Sequence, residues 1–341
     1  MKKSFVIFAI MVAFAVSASA QRVVALHSAT GVSMYSGVNP FIDAYNAAQP
    51  GDTIYLSGGS FAVPGVFDKR LLIFGAGYHP TSTQATNPTL LSNNFLIGGN
   101  ADNLIIEGVQ FAAGISVDNN VSVSFITIKR SRINGGIGFY GDLSNPCLNN
   151  VLTECVIIGD IFLTNATNTL ISNSIIQDRI IISKSNSIKN NVLLANRANW
   201  NDGVFHSTSN TEISNNVFLT TNNLFAGTAD GNLLFNNVFV HPTPAFGSNP
   251  ISGGNYLNVA LADIFVSHTG HEFSYNSNFN LKTPAQHLGN DGKEVGIYGG
   301  LFPFKPGAIP INPYISLKNI AAQTTSDGKL SVEIKVEAQT R

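Results

Sequence analysis

The sequence predicts an all-β fold: a right-handed parallel β-helix with a short N-terminal capping helix and a C-terminal two-stranded appendage. Two observations favour this fold. One short phrase of apolar and small polar residues recurs through the middle of the chain. Turn-forming residues are also very common, with 39 asparagines and 31 glycines among 341 residues. Such a composition is typical of many short strands joined by tight turns.

The recurring phrase is an apolar residue, two variable positions, a small polar residue or glycine, and two or three apolar positions. Its clearest copies are ISNNVFL at 213–219 and LFNNVFV at 234–240. Seven copies, spaced 17 to 25 residues apart, begin at Ile105, Ile128, Leu152, Ile171, Ile188, Ile213 and Leu234. A period of about 22 is too short for helical repeats of about 33 residues, and it fits one coil of three short strands stacked on its neighbours.

The fourth position of the phrase predicts a column of sharp corners between the first and second strands. Asparagine suits such a corner because it tolerates unusual backbone angles and its amide can bond to the backbone. We expect the amides of successive coils to form a structural hydrogen-bonded ladder. The residues at this position are Gly108, Ser131, Cys155, Ser174, Asn191, Asn216 and Asn237.

The two ends of the chain carry distinct signals. A basic start, a short apolar run and small residues before Gln21 are typical of a signal peptide. Asn39 and Pro40 fit the start of a capping helix. Near the C-terminus, apolar residues alternate with polar ones from Leu330 to Ala338, which predicts a strand. The predicted domains are a signal peptide (1–20), a lead-in (21–38), the β-helix (39–300), a proline-rich linker (301–314) and a β-hairpin tail (315–341).

These properties predict a secreted, periplasmic or cell-surface bacterial protein with no transmembrane segment after signal cleavage. The chain has 19 basic and 20 acidic residues and lacks the clustered Lys and Arg that a nucleic-acid partner would require. Cys147 and Cys155 are open to two interpretations, one disulfide or two buried thiols, and we favour the thiols.

The helix followed by PGDTIYL at 50–56, and NLKTPA and NDGKEVGIYGG within 280–300, carry a resemblance to a known superfamily. The chain resembles the pectate-lyase-like right-handed β-helices, which include pectate lyases, polygalacturonases and many uncharacterised secreted bacterial proteins. The resemblance covers about residues 38–300 and implies that residues 280–300 form the last coil. It also implies a working groove beside the third strand of each coil and the loop before it.

Three acids, Asp160, Asp178 and Asp202, each come just before a predicted third strand. Because neighbouring coils lie about 4.8 Å apart, their carboxylates could form a column. Such a column could supply the two carboxyl groups of a glycoside hydrolase, or oxygen ligands for Ca²⁺; no other cofactor is predicted. Alternatively, each Asp simply forms a turn at the end of a loop.

Other side chains in the same loops and strands could bind a ligand. These are Arg179, Arg197, Trp200 and His206. Strict alternation from Ile161 and Leu163 also places Phe162, Phe205 and Phe225 outside, where a contiguous apolar stripe would indicate a binding surface. A register one residue different, or a loop covering the stripe, would remove that surface.

The sequence favours a non-catalytic, secreted or cell-envelope scaffold that binds a glycan or a protein. Charged residues are few, at 11%, and the dense acidic and basic motifs of pectin-degrading families are missing. The alternative is a carbohydrate-active hydrolase or lyase that uses the stacked acids, with Arg179 or Arg197 as the base of a lyase.

Overall fold

The computed structural model describes residues 22–197, 202–305, 307 and 309–338. Over these ranges the backbone forms a parallel β-solenoid of about 9 turns, and 5% of the residues are helical. The predicted all-β repeat, the small N-terminal helix and the two-stranded C-terminal sheet are confirmed. The predicted signal peptide, residues 1–20, and Trp200 lie outside the described residues.

The first strand of each coil joins one long sheet, which contains 12 strands in the described ranges. Val23–Ser28 pairs antiparallel with both of its neighbours, and all later strands pair in parallel. In spatial order the strands are Gly31–Ser36, Val23–Ser28, Thr53–Leu56, Leu72–Phe74, Ile105–Glu107, Thr127–Lys129, Val151–Thr153, Leu170–Ser172, Ser187–Lys189, Glu212–Ser214, Leu233–Phe235 and Ile251–Gly253.

The second and third strands of the coils form two further parallel sheets. Among the described residues the second sheet comprises Gly59–Phe61, Thr89–Leu91, Gln110–Phe111, Arg132–Ile133, Val156–Ile157, Ile175–Ile176, Val192–Leu193, Val217–Phe218 and Val238–Phe239. The third sheet comprises Phe95–Ile97, Ile115–Asn119, Ile137–Gly141, Ile161–Phe162, Ile180–Ile181, Phe205–Ser209 and Phe225–Asp230.

Three small sheets and three short helices complete the described structure. The sheets pair Cys147–Leu148 with Ala166–Thr167, Phe265–Ser267 with Asn278–Leu281, and Tyr314–Ile320 with Val332–Glu337. The helices are Pro40–Ala47, Leu261–Ile264 and the 3-10 helix Pro284–Gln286. Neither α-helix of these ranges has the length or apolar character needed to cross a bilayer.

The helix Pro40–Ala47 caps the N-terminal end of the core. Its buried side chains include Phe41 and Tyr45, whose rings lie 5.6 and 4.6 Å from that of Phe67. Pro40 occupies the first turn as predicted, where its missing N–H has no intrahelical partner to lose. Asn39 stands at the N-cap position, but its side chain makes no capping hydrogen bond.

The repeat generates the core. Ile128, Ile188 and Ile213 are 0% exposed and belong to one stack of inward-facing residues on the long sheet. The first copy of the phrase begins at Ile106 and not at Ile105 as predicted, because Ile128 pairs with Ile106. The corner residue of that coil is therefore Val109 and not Gly108.

The predicted asparagine ladder is present at the corner. Oδ1 of Asn216 accepts hydrogen bonds from the backbone N–H of Asn191 at 2.9 Å and from its amide at 3.1 Å. Asn237 accepts the same two bonds from Asn216, and Asn255 accepts them from Asn237. Each amide also donates to a backbone carbonyl, as Asn216 does to Ile188 at 2.8 Å. The ladder thus satisfies buried polar groups, and Asn255 extends it by one coil.

Residues 280–300 do not form the expected last coil. The last strand added to the long sheet is Ile251–Gly253, and Asn278–Leu281 pairs antiparallel in a separate small sheet. We call the described residues between 257 and 304 the cover layer. Its apolar residues, including Phe265, Phe279 and Ile297, form a second buried cluster with outward-facing side chains of the second sheet such as Val192 and Val217. The apolar outer face of the solenoid therefore lies on the second sheet and is covered by the chain itself.

From Leu288 to Pro313 the chain runs back along the corner of the solenoid, and we call its described residues the strap. Asn236 donates to the carbonyl of Leu288 at 3.3 Å, and Asn215 donates to Oδ1 of Asn290 at 3.0 Å. Asn173 donates to the carbonyls of Ile297 and Gly299 at 3.1 and 2.9 Å. The strap therefore runs along the stack from later to earlier coils, opposite to the order in which the coils follow one another in the sequence.

The strap ends over a buried charged cluster at the earlier coils. Arg130 binds Glu107 at 3.2 Å and Glu154 at 2.8 Å, and all three residues are at most 5% exposed. The N–H of Ile311 donates to Oε1 of Glu107 at 3.0 Å, and the carbonyl of Ile309 lies 3.5 Å from Nη1 of Arg130. The segment predicted as a linker at 301–314 is thus packed against the solenoid over much of its described length.

The predicted two-stranded tail is present, with Tyr314–Ile320 and Val332–Glu337 paired antiparallel, and we call it the tail hairpin. Its apolar side chains are not buried, since Val332, Ile334 and Val336 are 53 to 59% exposed.

Candidate functional site

The outer face of the third sheet is the surface on which the sequence placed its candidate residues. Strand pairing aligns Leu96, Ser116, Gly138, Phe162, Ile181 and His206 in one outward-facing row across the sheet. Because each coil contributes one residue to the row, these positions follow one another at the spacing of paired strands, about 4.8 Å.

An aromatic pair lies at the centre of this row. Tyr140 and Phe162, both half-buried, have ring centroids 5.7 Å apart in a tilted arrangement. The Tyr140 ring lies over Gly138, and a Cβ atom there would be 2.4 Å from that ring. Glycine at this position therefore allows the ring to lie down on the sheet.

Glycines also form the floor beside the aromatic pair. A Cβ on Gly136 would be 2.6 Å from the carbonyl oxygen of Asp160, and one on Gly114 would be 2.9 Å from that of Gly136. The loops can stack this closely only because these residues lack side chains. The result is a cavity of about 260 Å³ in which Tyr140 and Phe162 lie near the polar side chains of Asn94 and Ser116.

The three candidate acids all form ion pairs with arginine side chains. Asp160 binds Arg179 through two side-chain contacts of 2.7 and 3.1 Å and through the Arg179 backbone N–H at 3.1 Å. Asp202 binds Nη1 of the same arginine at 3.1 Å, and Asp178 pairs with Arg197. The register aligns Asp160 with Arg179 of the next coil, and the carboxyl groups of Asp160 and Asp178 lie close enough to interact.

This network favours the ionised form of Asp160. Burial opposes ionisation of its carboxyl group, but the hydrogen bonds and charge of Arg179 outweigh burial and hold the pKa of Asp160 below its usual value of 3.8. The same pairing raises the pKa of Arg179. A general acid needs a carboxyl group that stays protonated near the working pH, so Asp160 is poorly suited to that role.

Two of the three aromatic residues predicted on the outer face of the third sheet do not face outward. Phe205 is 0% exposed, and Phe225 packs partly buried against the same core. Their ring centroids are 5.3 Å apart in a stacked arrangement. The register assumed from the sequence is wrong by one residue here, because Ile180 pairs with Phe205, and a slip of one residue turns a side chain to the other face. Phe162 alone of the three faces outward as predicted.

Of the remaining candidate residues, the structure describes His206 and Arg197. His206 faces outward, and its Nδ1 lies 3.2 Å from Oγ of Ser207. Arg197 is bound to Asp178, and Trp200 lies outside the described residues. No group of three or more His, Cys, Asp or Glu side chains within the described ranges is placed to hold a metal ion, so calcium binding stays a prediction without geometric support.

Sequence reasoning missed Tyr140, Asn94 and the glycine floor. Tyr140 comes one residue after the strand segment 136–139 that the repeat predicts, and strict alternation continued by one residue would have placed it outside. Gly114 and Gly136 each come directly before a third strand in successive coils, and this recurrence of glycine is the sequence signal for close stacking. A comparison with protein-family models, curated proteins and solved structures finds no match to this chain.

Proposed function

We propose that this protein is an exported, non-catalytic scaffold that binds a glycan in the groove formed by Tyr140, Phe162 and the glycine floor. The aromatic pair carries the proposal. Sugar rings present apolar C–H faces that pack on aromatic rings, while a few polar groups such as Asn94 and Ser116 orient the hydroxyls. Export rests on the signal-peptide interpretation of residues 1–20.

The relation to pectate-lyase-like proteins belongs to this proposal and rests on the repeat and on the sequence segment at 50–56, because residues 280–300 do not form the last coil that the resemblance implies. A parallel β-solenoid is consistent with it. One fold hosts many functions, so the argument for a glycan comes from the groove and not from the fold.

The alternative, a carbohydrate-active enzyme, is less well supported. It needs a protonated acid beside a second carboxylate, whereas Asp160 and Asp202 both bind Arg179, and the pKa of Asp160 is lowered. Arg179 is equally unsuited as the base of a lyase, because its pKa is raised.

Affinity electrophoresis against plant, algal and host polysaccharides tests the proposal. The wild-type protein should be retarded by at least one polysaccharide. Tyr140→Ala and Phe162→Ala should each weaken that retardation by about tenfold, as expected for loss of an aromatic anchor. Phe235→Ala is the matched control, because Phe235 is a half-buried aromatic on the outer face of the long sheet.

An assay of polysaccharide turnover distinguishes the non-catalytic scaffold from the carbohydrate-active enzyme. Reducing ends and unsaturated products should not accumulate with any of these polysaccharides. Robust turnover that Asp178→Asn abolishes would replace the scaffold with the enzyme. Retardation that neither aromatic variant changes would place the glycan elsewhere.

A further inference from the structure

A second cavity lies at the N-terminal end of the solenoid, away from the groove. Its volume is about 300 Å³. Its floor is the outer face of the first strands of the long sheet, including Ala25 and Tyr55, and its roof is the end of the strap with the first residues of the tail hairpin, Asn312 to Ile315.

The lining is mainly apolar. Tyr55 and Phe74 lie on neighbouring strands, with ring centroids 5.5 Å apart and an angle of 20° between the rings. Val23, Ala25 and the exposed side chain of Met34 complete this wall. Flat aromatic side chains beside a flexible thioether suit a planar apolar guest.

One polar group of the roof lacks a hydrogen-bond partner within the described ranges. The side-chain nitrogen of Asn312, a residue that lines the cavity, is buried and has no hydrogen-bond partner among the described residues. A buried donor without a partner is costly, and a bound acceptor would remove that cost. The apolar cavity is therefore lined by a residue that carries one unused donor.

We propose that this cavity binds a small, planar, apolar molecule that carries one hydrogen-bond acceptor, such as an aryl ketone or aryl ester. The volume of the cavity limits the size of the ligand. A cavity of about 150 Å³ accommodates benzene, so this larger cavity has room for a ring with a short substituent or for two fused rings. The ring packs on Tyr55 and Phe74, and the acceptor receives the amide proton of Asn312. This site is independent of the glycan groove.

Isothermal titration calorimetry with two probes of nearly equal shape tests the proposal. Acetophenone has a carbonyl acceptor, and isopropylbenzene does not. The full-length protein should bind acetophenone saturably and about tenfold more tightly than isopropylbenzene, as expected for one hydrogen bond to a buried donor. Asn312→Leu should abolish that preference while isopropylbenzene still binds.

Two variants that fill the cavity locate the binding. Ala25→Phe places a ring on the floor, and Met34→Trp narrows the mouth at an exposed position where folding is not at risk. Both should abolish binding of acetophenone, whereas Ile251→Trp, at an exposed site on the last strand of the long sheet, should not. Absence of saturable binding, equal affinity for the two probes, or binding that Met34→Trp leaves unchanged would each overturn the proposal.

Discussion

The paired asparagines at 190–191, 215–216 and 236–237 show how one short phrase serves two purposes. The second member of each pair builds the corner ladder. The first member has a positive φ, for example 59° at Asn215, which asparagine tolerates better than most residues. At this first position Asn215 and Asn236 donate hydrogen bonds to the strap, whereas the side-chain nitrogen of Asn190 is buried without a partner among the described residues. In the pairs at 215–216 and 236–237, one asparagine therefore stabilises the coil and its neighbour binds the strap.

The ladder makes a stability prediction. Asn216→Leu removes bonds to Asn191, Asn237 and the carbonyl of Ile188. We expect the free energy of unfolding to fall by about 1–3 kcal/mol for each buried group that loses its partner. Urea denaturation measures the change, and Asn93→Leu, at an exposed position, is the control. Equal stability of the two variants would contradict a structural role for the ladder.

The two cysteines are free and buried, as the sequence favoured. Burial raises the pKa of Cys155 from 9.0 to about 12. A thiol whose folded-state pKa is raised contributes stability that is intact below pH 9 and is lost as the pH rises towards 12, because the unfolded state ionises first. We expect Cys155→Ala to reduce the loss of stability between pH 9 and 12, as measured by urea denaturation. Rapid labelling of Cys155 by a thiol reagent in native Cys147→Ala protein at pH 8 would contradict this burial.

The ion pair of Asp160 predicts the opposite dependence on pH. A carboxyl group whose folded-state pKa is lowered contributes stability above its usual value of 3.8, and that contribution is lost as the pH falls through the folded value. Asp160→Asn should therefore lower the melting temperature at pH 7 and have progressively less effect as the pH falls below 3.8. Asp263→Asn, at an exposed position, should change little at any pH.

At the scale of elements, the strap depends on a close contact with one corner. Gly108 has a φ of 74°, and a Cβ atom there would be 2.1 Å from Cγ of Pro310. Gly108→Ala should displace the strap and reduce the free energy of unfolding by clearly more than about 1 kcal/mol. Gly292→Ala is the matched control, because Gly292 has a similar φ of 72° but no atom within 4 Å of the added Cβ. Equal losses in the two variants would show that the backbone angle alone matters and that the strap contact contributes nothing.

The tail hairpin, in contrast, adds little to the solenoid. Its first residues and Glu337 are partly buried, but most of its apolar side chains, including Val332, Ile334 and Val336, are exposed. A truncation after Ile315 should therefore leave the melting temperature nearly unchanged while retaining the roof of the N-terminal cavity. A marked fall in melting temperature would show that the hairpin docks on the solenoid.

The sequence predicted those elements whose signals repeat. The apolar phrase identified the inward-facing stack and the ladder, because each coil restates the same pattern. The register failed at Phe205, because it follows a long loop and the repeat does not determine how many residues such a loop uses. The strap was missed for a different reason. Its contacts, such as Pro310 with Gly108, join distant and non-repeating residues, and no local pattern reports such a pairing.

At the scale of the whole molecule, the strap alters how the coils depend on one another. A solenoid is quasi-one-dimensional, since each coil contacts only its neighbours, and its end coils can unfold separately. Here the strap contacts coils from Asn236 to Glu107. We therefore expect the described coils to unfold in one transition, with the same midpoint by far-ultraviolet circular dichroism and by tyrosine fluorescence. Two separated midpoints would contradict this coupling.

The return path of the strap also brings the two ends of the described chain together. Val23 and Tyr314 line the same cavity, although a solenoid of about 9 turns lies between them in sequence. Over the described residues the path of the chain is therefore nearly a closed ring, because Glu337 pairs with Tyr314 beside Val23. A short peptide could join residue 338 to residue 22, and new termini could be opened in the loop between Val240 and Ser248 at the opposite pole. Such a circular permutant should fold to the same structure and present its new termini from the far end of the cylinder.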